Sequence, residues 1–116
     1  MMVKTLNKGT LHITDEVVAL IAEAAVSEMP GIFGTVPGLK DEFARVVHKQ
    51  PARGITVYTE KDETVIEAKV AVRFGENVGD VCFRLQERIK HDVEMMTGMK
   101  VGTINLLVDQ IVFEEE

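Results

Sequence analysis

Cysteine is almost missing from this chain. Cys82 stands alone among 116 residues, so an internal disulfide is excluded and a reducing compartment suits the protein. Long apolar runs are missing too: none approaches the ~18 residues needed to span a bilayer. The opening MMVKTLNKG has no apolar stretch of the kind a secretory signal carries. A cytoplasmic protein is expected, and membrane association has to pass through a partner rather than by direct insertion. Positive charge is scarce, with 13 Lys and Arg against 19 Asp and Glu and a net charge of -6, which argues against nucleic acid as a general partner. Catalytic spacing is missing as well. No Ser, Cys or Lys is paired with a base by a known signature, no ligand set has metal spacing, and neither a repeat nor a low-complexity segment occurs. The chain is read as no enzyme, with no catalytic residue, cofactor or metal.

What is present fits one domain over residues 1–116: 12.9 kDa with 46 % hydrophobic residues is enough for one core. The clearest element is a helix within Asn77 to Met99. Val78, Cys82, Leu85, Ile89, Val93 and Met96 recur at three- and four-residue spacing, polar residues fill the rest, and Gly98 closes it. A first helix is expected from Thr14 or Asp15 to about Met29, capped by Thr14 or Asp15 and stopped by Pro30 and Gly31. Strands are expected at Thr10 to Ile13, Gly54 to Glu60, Thr64 to Phe74 and about Lys100 to Phe113, the second pair joined by a turn at Lys61 and Asp62. In Thr64 to Phe74, Ile66, Ala68, Val70, Val72 and Phe74 share one face and Glu67, Lys69 and Arg73 the other.

The order strand, helix, strand, strand, helix, strand gives an α+β fold, two helices on one face of a mostly antiparallel sheet, with a core of about 9–113 and an irregular insertion at 30–53. The last strand has apolar residues on both parities. Leu107, Ile111 and Phe113 stand opposite Ile104, Leu106 and Val108, so either a bulge near Asp109 and Gln110 shifts the register or both faces are covered, and a second copy of the chain is expected over the extra row. A homo-oligomer, a dimer, follows.

Other candidates are weighed on the same footing. His12, His48 and His91 fall in three different elements, and Glu60, Asp62 and Glu63 crowd a turn that lacks the ligand count of a calcium loop. Met95, Met96 and Met99 suit either a peptide groove or core filling, and core filling is the expectation. Gly31-Ile32-Phe33-Gly34 has the G-x-x-G form of the KH clamp, but its middle residues are apolar. Lys40, Arg45, Lys49 and Arg53 make the insertion locally basic and form a candidate patch for docking an acidic protein partner.

Three stretches together carry a resemblance: GTLHITDEVVALIAEAAVSEMPGIFG, RGITVYTEKDETVIEAKVAVRFGENVGDVCFRLQERIKHDVEMMTGM and INLLVDQIVF. They resemble the alkaline-shock-protein family of Gram-positive bacteria from about Gly9 to Phe113. The marks are Ile-Thr-Asp-Glu-Val-Val at the first helix, Pro-Gly at its end, Arg-Gly before the second strand, Phe-Gly-x-Asn-Val before the second helix and Met-Thr-Gly after it. Gln110 departs from the pattern, where family members often carry Gly. The resemblance implies a non-enzymatic cytoplasmic protein of the cell-envelope stress response, in some members held at the membrane by a separate anchoring protein. A KH-like RNA-binding module, or a modulator of an envelope or lipid metabolic enzyme, is the alternative.

Overall fold

The computed structural model describes residues 1–34 and 54–113. Its centre is one long strand, numbered β5 in chain order (Glu63–Arg73). β6 (Thr103–Val112) runs parallel along one side of it, while β4 (Ile55–Glu60) and β3 (Ile32–Phe33) pair antiparallel with successive halves of the other side. β4 and β5 form a hairpin whose turn residues Lys61 and Asp62 both have positive φ, at 50° and 64°. That is the turn geometry whose twist matches the flanking strands. The β5 to β6 pair is parallel because a helix intervenes and returns the chain to the starting end.

Two helices cover one face of this sheet. α1 (Asp15–Glu28) starts at Thr14, whose hydroxyl accepts from the Val17 N–H at 3.3 Å, with Asp15 and Glu16 in the first turn where the helix dipole favours acids. α2 (Val78–Thr97) starts at Asn77, whose side-chain carbonyl accepts from the Asp80 N–H at 3.0 Å. It ends at Gly98, which adopts the left-handed conformation at φ 71° and donates back to the Glu94 carbonyl at 2.9 Å. Val81, Leu85, Ile89 and Val93 of α2 and Val18 and Ala22 of α1 are buried against Ile66, Val70 and Val72 of β5. α1 lies over β4 and β3, α2 lies toward β6, and the helices touch each other.

The expected strand set needs correction. Thr10 to Ile13 is a strand, but not an edge of the main sheet: β2 (Gly9–Ile13) pairs with β1 (Met2–Leu6) in a separate two-stranded sheet. β1 escaped notice because Lys4 interrupts its apolar parity between Met2 and Leu6. β3 escaped because two residues are too short for any period. The bulge alternative for β6 is the one observed. Val70 pairs with Val108 and Ala71 with Gln110, so Asp109 is the extra residue.

Candidate functional site

Apolar residues encircle α1, more than one packed face needs. Val18, Ala19, Ala22, Ala25 and Val26 enter the core, leaving Val17, Leu20 and Ala24 on an outer row at helical spacing. Alanines at the core positions let α2 approach closely. Between the two helices, on the outer side of the layer, lies a groove of about 560 Å³ lined by Val17, Leu20, Ile21, Ala24 and Glu28 of α1 and His91, Asp92, Met95 and Met96 of α2. Core filling is therefore the wrong reading for two of the three methionines: Met95 is 71 % and Met96 72 % exposed, while Met99 packs on the core. The buried row of α2 runs Val81, Leu85, Ile89, Val93 and Thr97, and Met96 stands beside it on the groove side.

One charged clamp joins the groove walls. Arg88 donates from Nη2 to Glu28 Oε2 at 2.7 Å and from Nε to Asp92 Oδ2 at 2.8 Å. Asp92 first and Glu28 second push the guanidinium above its already high ordinary value. Exposed pairs of this kind contribute little stability. Their effect here is positional, since Arg88 ties the last turn of α1 to the middle of α2.

A second apolar feature stands at the end of β5 and β6. Phe74 donates its N–H to the Val112 carbonyl at 2.8 Å. Its ring stacks on Phe113 with centroids 4.8 Å apart and an interplanar angle of 24°. The rings are 66 % and 71 % exposed. The bulge explains how they meet: beyond Asp109, Ile111 pairs with Val72 and Val112 with Arg73, which carries Ile111 and Phe113 back to the parity of the core row. Leu107, Ile111 and Phe113 thus do not form one row. Leu107 pairs with Lys69 on the open sheet face, where it lines a shallow depression of about 300 Å³ with Thr56, Glu67 and Asn105. On the same open face the Tyr58 hydroxyl donates to Glu67 Oε2 at 3.2 Å.

The other sequence candidates separate. Lys40, Arg45, Lys49, Arg53 and His48 lie outside the described residues. His12 faces Thr10 Oγ1 at 3.2 Å on the β1–β2 hairpin, far in sequence from His91 in the groove. Among the described residues no group of three His, Cys, Asp or Glu is placed to hold a metal. Burial pushes the Cys82 thiol up, which keeps it unreactive. The G-x-x-G residues are used by the fold: Ile32 and Phe33 are β3, Ile32 is buried, and the Gly31 carbonyl accepts from the Arg73 N–H at 2.9 Å. Among the described residues this segment is part of the sheet.

With two exposed apolar surfaces on an α+β scaffold in view, comparison with known proteins is decisive. Residues 3–113 match the alkaline shock protein 23 family (ASP23 family, cell envelope-related function). The chain belongs to this family. The chain is similar to uncharacterized protein YloU of Bacillus subtilis, 26 % identical over 106 residues that cover 89 % of this chain and 88 % of the relative. It is 30 % identical to uncharacterized protein YqhY of the same organism over 112 residues, covering 91 % of this chain and 79 % of the relative. Uncharacterized protein Spy1614 of Streptococcus pyogenes is 25 % identical over 106 residues, with 89 % and 88 % covered. Among the described residues no helix is long and apolar enough to cross a membrane.

Proposed function

We propose that this alkaline-shock-family protein is a non-enzymatic, cytoplasmic adaptor of the cell-envelope stress response that acts by associating with itself and by docking to a second protein. A membrane-anchored partner would bring it to the envelope, and an envelope or lipid metabolic enzyme is a partner of the same kind. The observation that carries the reading is the exposed Phe74 and Phe113 stack at the end of β6, whose outer edge pairs with no strand among the described residues, with Ile111 and Leu107 on the same strand. A ten-residue edge offers backbone groups that another strand satisfies. Each apolar side chain withdrawn from water adds about 1.5–3 kcal/mol. The basic residues Lys40, Arg45, Lys49 and Arg53 supply the charge for an acidic partner, steering encounter more than adding affinity.

Light scattering at micromolar concentration tests the self-association. The parent is expected to be a dimer or larger, and Leu107→Asp combined with Phe113→Asp is expected to yield a folded monomer destabilised by little more than the lost Phe74 stack, about 0.5–1.5 kcal/mol. In a Gram-positive host lacking the parent gene, the double variant is expected to fail to restore growth under envelope stress. A strict monomer for the parent, or a monomeric variant that restores growth fully, refutes the self-association reading.

A further inference from the structure

We infer that two copies of the chain join along β6, antiparallel and two-fold about Asn105, with Asp109 of each copy beside Lys100 of the other, an inference that rests on the self-association reading above. The edge itself is unprotected. Charged residues, prolines and bulges keep one sheet edge from pairing with another, yet Thr103 to Val108 reads TINLLV with none of these, and among the described residues its outer side pairs with no strand. The first interruption is the bulge at Asp109. A flat stretch that ends in a bulge has room for one short ladder and stops it from growing along the strand.

Charge and symmetry select a second copy in antiparallel register. The net charge of -6 makes two copies repel, and this uncharged stretch lets them meet without setting carboxylates against each other. A parallel pairing would place Asp109 beside its own copy, which like charge disfavours. In the antiparallel pairing, a two-fold axis normal to the sheet keeps the helices of both copies on one side, so residues of equal parity face each other. With Asn105 on the axis, Ile104 meets Leu106 and Thr103 meets the exposed Leu107, while the two Asn105 amides each offer donors and an acceptor to the other. The Ile104 carbonyl accepts Gln86 Nε2 at 3.0 Å and keeps a second lone pair for the incoming strand.

The charges fix the register. Lys100 stands five residues before Asn105 and Asp109 four after it, so at ~3.3 Å per residue the axis brings each Lys100 within one residue step of the other copy's Asp109. A lysine side chain spans that difference. Both residues are exposed, and neither forms an ion pair among the described residues, Lys100 being only the last of the influences on Glu94.

The test uses the full chain, with its oligomeric state read by sedimentation equilibrium. Asp109→Lys and Lys100→Asp are each expected to weaken the dimer about tenfold, since each reversal sets like charges together at both ends of the interface. Mixed one to one, the two variants are expected to pair with each other at about the parent affinity, because every Lys then meets an Asp. Both positions are exposed, so each variant keeps the circular dichroism of the parent. Independently of charge, Asn105→Cys is expected to give a disulfide-linked dimer on mild oxidation, while Thr103→Cys and the parent, with Cys82 alone, stay unlinked. A monomeric parent overturns the self-association reading and this inference with it. The β6 pairing alone is overturned if a dimeric parent loses no affinity on either reversal, if the mixture stays as weak as the single variants, or if Asn105→Cys links no more readily than Thr103→Cys.

Discussion

Deleting Asp109 is the sharpest perturbation of β6. Because Val108 pairs with Val70 and Gln110 with Ala71, Asp109 has no partner on β5. Removing it joins two correctly paired halves, so Ile111 stays opposite Val72, Val112 opposite Arg73, and Phe113 on Phe74. The loss is confined to the bulge twist, and the ladder regains about one hydrogen bond at 0.5–1.5 kcal/mol, so stability is expected to change by no more than about 1 kcal/mol. For a domain of this size that is a melting shift of about 4 °C. In a strand of strict period two the same deletion would instead move Gln110 to Phe113 to the opposite faces. That would cost the aromatic pair, about 0.5–1.5 kcal/mol, and the buried half of Ile111, about 1 kcal/mol. The assay is thermal melting together with proton nuclear Overhauser effects between the two Phe rings. Rings that separate on deletion, or a melting point lowered by about 10 °C or more, would refute the bulge and with it the placement of Phe113.

Gly102 and Glu94 probe the joint after α2, with Gly34 as the comparison site. Gly102→Ala should destabilise by about 1–3 kcal/mol in urea unfolding, because a Cβ there would lie 2.8 Å from the Glu63 Cβ and 2.7 Å from its Oε2. Gly34→Ala, where no atom of the described residues lies within 4 Å, should be near neutral, and equal stability of the two variants would count against the argument. Glu94 accepts the Val101 N–H at 2.9 Å, and chiefly for this reason, with help from Lys90 and Lys100 and against burial, its carboxyl is held below the ordinary carboxylate value. A lowered folded value means stability that is present above the unfolded pKa of about 4.3 and lost as pH falls through the folded one. Melting of Glu94→Gln should therefore lie below that of the parent at pH 7 and converge with it in acid, whereas a gap constant down to pH 3 would show that Glu94 does not titrate with folding.

Both helices, the β4 to β5 hairpin and the position of the bulge were legible in the sequence, because each rests on local signals. Thr14, Asn77 and Gly98 mark helix ends by their own hydrogen-bonding or backbone preference, and β5 alternates strictly from Ile66 to Val70. The family was legible too, from short marks in a fixed order. β1, β3 and the parallel pairing of β6 were not, since each depends on where distant segments meet. The groove was missed for a different reason. Sequence periodicity locates an apolar face but not the extent of what covers it. Met96 stands three residues after Val93 and Val17 shares a row with Ile21, yet the buried row of α2 continues at Thr97 instead, and both Met96 and Val17 line the open groove and meet water. The surplus signal was on α1, where Leu20 and Ala24 are apolar out of phase with the core face.

The placement of the two surfaces gives the adaptor reading its physical logic. The groove lies on the outer side of the helical layer, while the β6 edge and the Phe74 and Phe113 stack lie at the margin of the sheet, so filling one leaves the other open. A protein with both can bind a partner through its helices while its copies join through their sheets, and linking such sites multiplies weak contacts through effective concentration. Marginal affinity at the groove is then enough. A shallow trough with methionine walls, which binds loosely and adapts, suits an adaptor better than a deep pocket shaped to one ligand would.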